Sequence, residues 1–261
     1  MRKRRIRVDG LELTVKGIVL DKDGVLVDQM ALATALHQAR RSVIATALGT
    51  PAASRYDRLM GAEPFLDPHG PSILASLAQA DVLLAGLWYQ CRRDPWPECL
   101  RQAAWLMAEA DRLVDGASVK ALPGAQAFVA RVRAAGLFLG LVTGDHRART
   151  MAHLRALQLE TSFDAVVTAD DSVLQKPDSA PLRLVLHGQS WDPGDCVMVG
   201  DSCNDWTMAQ TLAIPVIAIG SEVIHHPAVI RTVPDLRSIC VTGAIEEDQI
   251  VTHTRDASTT L

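Results

Sequence analysis

The spacing of apolar and polar positions changes character twice along the chain. Residues 6–15 alternate around Asp9-Gly10. That pattern predicts a hairpin, because an Asp-Gly pair supplies the positive φ angles of a tight turn. GIVL (17–20) then forms a short apolar run that ends abruptly in DKDG, as a buried strand followed by a polar loop would. From 29 to 119 the period becomes helical, with Ala/Leu-rich stretches at 30–48, 72–92 and 98–114 and Pro/Gly-rich breaks at 61–71 and 94–97. This predicts a helical insert.

After Pro123-Gly124 the two periods alternate. Predicted helices at 124–135, 146–158, 179–188 and 203–212 precede predicted strands at 137–142, 163–169, 195–200 and 214–220. Strands that alternate with helices predict an α/β fold, a doubly wound parallel sheet covered on both faces. The expected domains are a discontinuous core (1–28 and 120–242) and a helical cap (29–119). The tail, 243–261, is polar and aperiodic and is expected to fray.

Composition narrows the field. Hydrophobic residues make up 48% and charged residues 21% of 261 positions, which is globular composition. A net charge of -4 gives no electrostatic case for nucleic acid. No apolar run approaches the roughly 20 residues that span a bilayer. MRKRR at the start is followed by the charged, alternating IRVDGLELTV rather than by an apolar stretch, so a soluble cytoplasmic protein is expected. The five cysteines are scattered and form no CxxC pair, which argues against a disulfide framework or a zinc site. Lysine is scarce: Lys3, Lys16, Lys22, Lys120 and Lys176 are all there are.

Three polar clusters sit just past the carboxyl ends of predicted strands: Asp21-Lys22-Asp23-Gly24, Thr143-Gly144-Asp145, and Gly200-Asp201-Ser202-Cys203-Asn204-Asp205. Lys176 follows the strand at 163–169. Ligands of open parallel sheets bind beyond these ends, so distant clusters are expected to meet in one crevice. Carboxylates at 21, 23, 201 and 205 would repel one another there unless a hard cation neutralised them. A single such Asp would more often cap a helix or turn; acids at several strand ends are harder to read that way. Thr143 also fits the N-cap of the next helix. Ser202 and Cys203 have no neighbouring His to activate them, and Cys203 reads as structural.

The motifs DKDGVLVD (21–28), LVTGD (141–145), Lys176 in QKPDSAPL and VMVGDSCNDWTMA (197–209) resemble, in order, the four motifs of the haloacid dehalogenase (HAD) superfamily. The likeness covers roughly 15–28 and 120–225, and the helical insert stands where the family carries its first-type cap. The resemblance implies a Rossmann-like core, a Mg2+ cofactor and a small phosphorylated metabolite as partner. It implies Asp21 as nucleophile and Asp23 as general acid/base. It implies Asp21, Asp201 and the Asp23 backbone carbonyl as Mg2+ ligands, with Asp205 in support. Thr143, backbone groups such as that of Gly144, and Lys176 would hold and balance the phosphoryl group. Lys22 and the Asp145 after Thr-Gly stand at positions where the resemblance assigns no role.

Asp23 favours phosphorus chemistry over the dehalogenase branch. The insert 29–119 has no Lys, which disfavours a Schiff-base branch. It also places a phosphatase, similar to the phosphoglycolate phosphatases, ahead of a sugar-phosphate mutase. A binding protein with a damaged site is a further alternative, against which Asp21, Asp23, Lys176 and Asp201 are all intact. Substrate choice is expected from the stretch 55–71 facing Asp21, through Arg55, Arg58 and His69, on a cap hinged near 25–30 and 115–123. Trp88, Trp96 and Trp105 are expected to pack between helices, and the adjacent His225 and His226 read as a loop feature.

Overall fold

The computed structural model describes residues 2–114 and 119–244. The predicted hairpin is present as β1 (Arg4–Val8) and β2 (Leu11–Val15), with Asp9 and Gly10 at φ 42° and 79°. It belongs to a three-stranded antiparallel sheet of order β2-β1-β9, in which β9 is Ile239–Ala244.

The main sheet has order β5-β4-β3-β6-β7-β8 and every pairing in it is parallel. Its strands are β3 (Gly17–Leu20), β4 (Phe138–Val142), β5 (Ala165–Val167), β6 (Cys196–Gly200), β7 (Val216–Ile219) and β8 (Val229–Val233). β3 lies in the middle: Leu20 is level with Leu141 on one side and Val199 on the other. The chain builds β4 and β5 outward from β3, then returns to build β6, β7 and β8 on the other side. The order therefore reverses at β3, where α/β sheets open their crevice.

Alternate residues feed the two faces. Ile18, Leu20, Val197 and Val199 pack with Phe128 and Val132 of α6 (Ala125–Ala134) and Leu154 of α7 (Arg147–Ala156). Val19, Cys196 and Met198 pack with Leu182 and Val185 of α8 (Ala180–Val185) and Met208 of α9 (Cys203–Thr211). β8 and β9 depart from the expected element list. β8 is only partly buried, as befits the sheet's edge, so it lacks the continuous apolar run that marks the inner strands.

Between β3 and α6 the regular elements described are all helices: α1 (Gln29–Leu48), α2 (Thr50–Leu59), α3 (Pro71–Leu74), α4 (Leu77–Arg92) and α5 (Trp96–Leu113). They enclose a separate apolar cluster that includes Ile44, Tyr56, Met60, Leu84, Trp88, Cys99 and Leu106. α2 replaces part of the loop expected over 55–71. Pro51 sits in its first turn, where no amide donor is missed, and Ala52, Ala53 and Tyr56 give it a buried face. Trp88 packs inside as expected, but Trp96 and Trp105 are 45% and 56% exposed. The chain's entry and exit run side by side: Asp28 N–H donates to Lys120 O and Leu122 N–H to Leu26 O. Part of the expected hinge (115–118) and most of the expected tail (245–261) lie outside the described residues. No described helix is long and apolar enough to cross a membrane.

Candidate active site

The strand register brings the predicted clusters together. Asp21 leaves β3 with its N–H donating to Val199 O at 2.9 Å, and Thr143 leaves β4 with its N–H donating to Val167 O at 3.0 Å. Asp201 follows β6 directly. Two glycines allow the close approach. A Cβ on Gly24, which also has φ +76°, would stand 1.8 Å from Asp201 Oδ2, and one on Gly200 would stand 2.5 Å from Asp205 Cβ. No other residue fits either place.

One half of the site is rich in negative charge. Carboxylate oxygens of Asp21, Asp201 and Asp205 lie within 4.8 Å of one another. Lys176 donates to Asp21 Oδ1 and to Asp205 Oδ1, each at 2.7 Å. The other oxygen of Asp205 accepts from the Ser202 hydroxyl at 2.7 Å and from its N–H at 3.2 Å, closing a capping box at the start of α9. Burial first, and Asp205 next, push the Asp21 carboxyl above its usual range against the pull of Lys176. Burial, then Asp21 and Asp205, raise Asp201 likewise. Burial works to lower the Lys176 ammonium, but Asp205 and Asp21 outweigh it and raise it. One ammonium therefore leaves negative charge uncompensated. Clustered, hard oxygen donors with that surplus fit a Mg2+-type cation.

The other half is balanced. Asp23, 27% exposed at its side chain, accepts from Lys22 Nζ at 2.7 Å. The Lys22 side chain is fully buried and also meets Asp145 Oδ2 at 3.1 Å and His153 Nδ1 at 3.0 Å. Burial, then Lys22, hold His153 down to about 4, so at neutral pH its Nδ1 is an acceptor. Arg149 Nε reaches both oxygens of Asp145 at 2.7 and 2.8 Å. Burial alone would raise Asp145, yet Arg149 and Lys22 hold its carboxyl well below the usual range. Arg149 also donates to Asp111 on α5 at 3.0 Å, and Arg40 on α1 donates to the second Asp111 oxygen at 3.1 Å. Asp111, Arg149 and His153 line a cavity of about 310 Å³ at the junction of insert and core.

Thr143 is buried at the end of β4, and its Oγ1 accepts from the Asp145 N–H at 3.2 Å. The N-cap of α7 is His146 rather than Thr143. Gly144 is exposed with open space where a side chain would be. The three cap residues are not gathered with these groups. Arg55 and Arg58 lie on α2 beside Gln90 and Trp96, and Arg58 pairs with Glu63 at 3.7 Å. His69 donates its N–H to Asp67 and borders Leu74 and Val82. Lys22, Asp145, Arg149 and His153 are the site neighbours that motif reading passed over. Their signal was present: a rare lysine between two acids, and an acid directly after Thr-Gly.

The family model described as haloacid dehalogenase-like hydrolase matches residues 15–212. A phosphoglycolate phosphatase of Rhodospirillum rubrum is 30% identical over 213 residues, which cover 81% of this chain and 82% of that protein. The pyrophosphatase PpaX of Bacillus pumilus is 26% identical over 224 residues, 86% of this chain and 92% of the relative. Among solved structures, the HAD-hydrolase YfnB of Bacillus subtilis, bound to magnesium, superposes with a TM-score of 0.62 at 15% identity, covering 85% of this chain and 96% of that one.

Proposed function

This chain belongs to the haloacid dehalogenase-like hydrolase family and is a phosphatase, and we propose that it hydrolyses a small phosphate monoester through an aspartyl phosphate on Asp21, with Mg2+ as cofactor. The observation that carries the reading is Asp21 itself: a buried carboxylate at the central strand end, held by Lys176 at 2.7 Å and clustered with Asp201 and Asp205. An Asp21 oxygen attacks phosphorus as the bond to the ester oxygen breaks, and Asp23 gives that oxygen its proton. Asp23 then takes a proton from water as the water attacks the aspartyl phosphate, which releases phosphate and restores Asp21. Asp21, Asp201 and the backbone carbonyl of Asp23 would hold Mg2+, with Asp205 behind them. The ion supplies neutralisation of the phosphoryl charge. Thr143 and the exposed backbone at Gly144 hydrogen-bond the phosphoryl oxygens, and Lys176 offsets their charge.

The sequence relatives point to a short, strongly anionic substrate of the phosphoglycolate kind. Hydrolysis is favoured over phosphoryl shuttling between sugar positions. The insert lacks lysine across 29–119, and its His37 is buried and occupied by Asp57 at 2.9 Å and Ser72 at 3.2 Å. Contacts from Arg55, Arg58 or His69 to the non-phosphate end of the substrate belong to this proposal too, and need the insert to move over the strand ends. The test is a screen of purified protein with Mg2+ against a panel of phosphorylated metabolites, phosphoglycolate and pyrophosphate included. Release of phosphate from a small monoester is expected, and no release across the panel would end this reading.

A further inference from the structure

Lys22 needs an explanation that packing does not supply. Its side chain is fully buried, in a loop whose neighbours Val25, Leu26 and Val27 belong to the apolar core. Replacing a whole buried ion pair by apolar side chains of similar size is often neutral or stabilising in other proteins, so filling this space does not by itself call for a charged network. Instead the ammonium donates to Asp23 Oδ1 at 2.7 Å, pairs with Asp145 Oδ2 at 3.1 Å and donates to His153 Nδ1 at 3.0 Å. The last two acceptors come from the loop after β4 and from α7, and they fix where the ammonium sits. The first is the half-open carboxylate through which the proton passes. Beyond Asp145 the chain of charges continues without a gap: Arg149 to Asp111 at 3.0 Å, and Asp111 to Arg40 at 3.1 Å. Those last two residues belong to α5 and α1 of the insert. A core loop, a core helix and two helices of the insert thus share one line of alternating charge.

We infer that Lys22 is a positioning residue that aims the Asp23 carboxylate, and that Asp145, Arg149 and Asp111 link its placement to the seating of the helical insert. The inference rests on the proposed role of Asp23 as general acid/base. A group aimed by several fixed partners loses little time in unproductive rotamers, and a displacement of the order of 1 Å is enough to impair proton transfer. The insert enters because Asp111 can hold Arg149 only when α5 lies against α7.

The experiment compares Lys22→Met, the charge-balanced double variant Lys22→Met/Asp145→Asn, and Asp111→Asn with the wild-type chain, all loaded with Mg2+. The first readout is kcat/KM on an alkyl phosphate, whose leaving group needs a proton, and on p-nitrophenyl phosphate, whose leaving group does not. Lys22→Met is expected to lose about 10²-fold on the alkyl ester and about tenfold less than that on the aryl ester. The double variant is expected to regain melting temperature but not the alkyl-to-aryl ratio. Equal losses on both esters, or recovery of the ratio in the double variant, would overturn the positioning role in favour of simple charge burial. The second readout needs no turnover: hydrogen exchange in segments 22–28 and 106–113. Lys22→Met is expected to speed exchange in 106–113, and Asp111→Asn in 22–28. Changes confined to the mutated side would overturn the link. Wild-type protein inactive on both esters would remove the proposed function, and the exchange data would then decide the link alone.

Discussion

The two halves of the site are built from the same kinds of side chain and behave in opposite ways. Around Asp21, three carboxylates cluster about one ammonium that bonds only Asp21 and Asp205, and burial with mutual repulsion raises Asp21 and Asp201. Around Asp23, carboxylates and cations alternate from Lys22 to Arg40, and Asp145 is held low although it is at least as buried as Asp21. Burial does not set the direction of the shift by itself; the count of opposite charges within reach does. The first half is thus prepared for an added cation. The second is complete as it stands, and keeps one partly exposed oxygen-bearing group at its rim.

The sharpest way to break the contrast is at the nucleophile. Asp21→Asn is expected to reduce turnover by about 10⁴-fold or more and to abolish labelled phosphoenzyme, without lowering the melting temperature, since it removes one of the repelling charges. Near-normal steady-state hydrolysis in this variant would show that the covalent route is wrong. The cation comes next. Chelation is expected to stop turnover and Mg2+ to restore it, while the melting temperature rises on Mg2+ addition. In metal-free protein the folded pKa of Asp21 and Asp201 exceeds the unfolded value, so their contribution to stability is full below the ordinary carboxylate range and is lost as pH rises through the folded value. The Mg2+-induced gain in melting temperature should therefore grow between about pH 5 and about pH 8. A gain that does not depend on pH would place the ion elsewhere.

Asp145→Asn tests the balanced half, and its main effect is on stability. Breaking a buried pair costs about 3 kcal/mol at neutral pH, read as a lower urea midpoint. Here the sign is reversed. A folded pKa below the unfolded value gives stability that is present above the ordinary carboxylate range and is lost as pH falls through the folded value, so wild type and variant should converge in acid. A constant difference across that range would remove Asp145 as a charged partner. The smallest effects are expected in the insert. Arg55→Ala, Arg58→Ala and His69→Ala should raise KM for the natural substrate by about threefold and leave KM for an aryl phosphate unchanged, because only the former would use the contacts proposed for these residues. No change on either substrate would show that the insert does not carry them to the strand ends.

Much of this protein is determined locally. Alternation around Asp9-Gly10, apolar runs that stop at DKDG, TGD and GDSCND, and the intervening helical periods specify the hairpin, the inner strands and their helices, since each signal lies within a few residues of the element it forms. The motif residues Asp21, Thr143, Asp201, Asp205 and Lys176 could be read as one site from strand-end positions alone, because a parallel sheet aligns all its carboxyl ends on one side. Tertiary structure decided the rest. β8 and β9 have weak patterns of their own and exist because a sheet edge was open to pair with them. α2 was hidden by a proline and by exposed arginines, and its buried face of Ala52, Ala53 and Tyr56 is defined only by what the fold packs against it. Lys22 looked like a polar loop residue; its partners Asp145 and His153 lie more than a hundred residues away, and only the fold that brings them within about 3 Å turns it from a solvated lysine into a buried one. A side chain's neighbours across the chain, and with them its charge state and orientation, are not encoded in the few residues beside it.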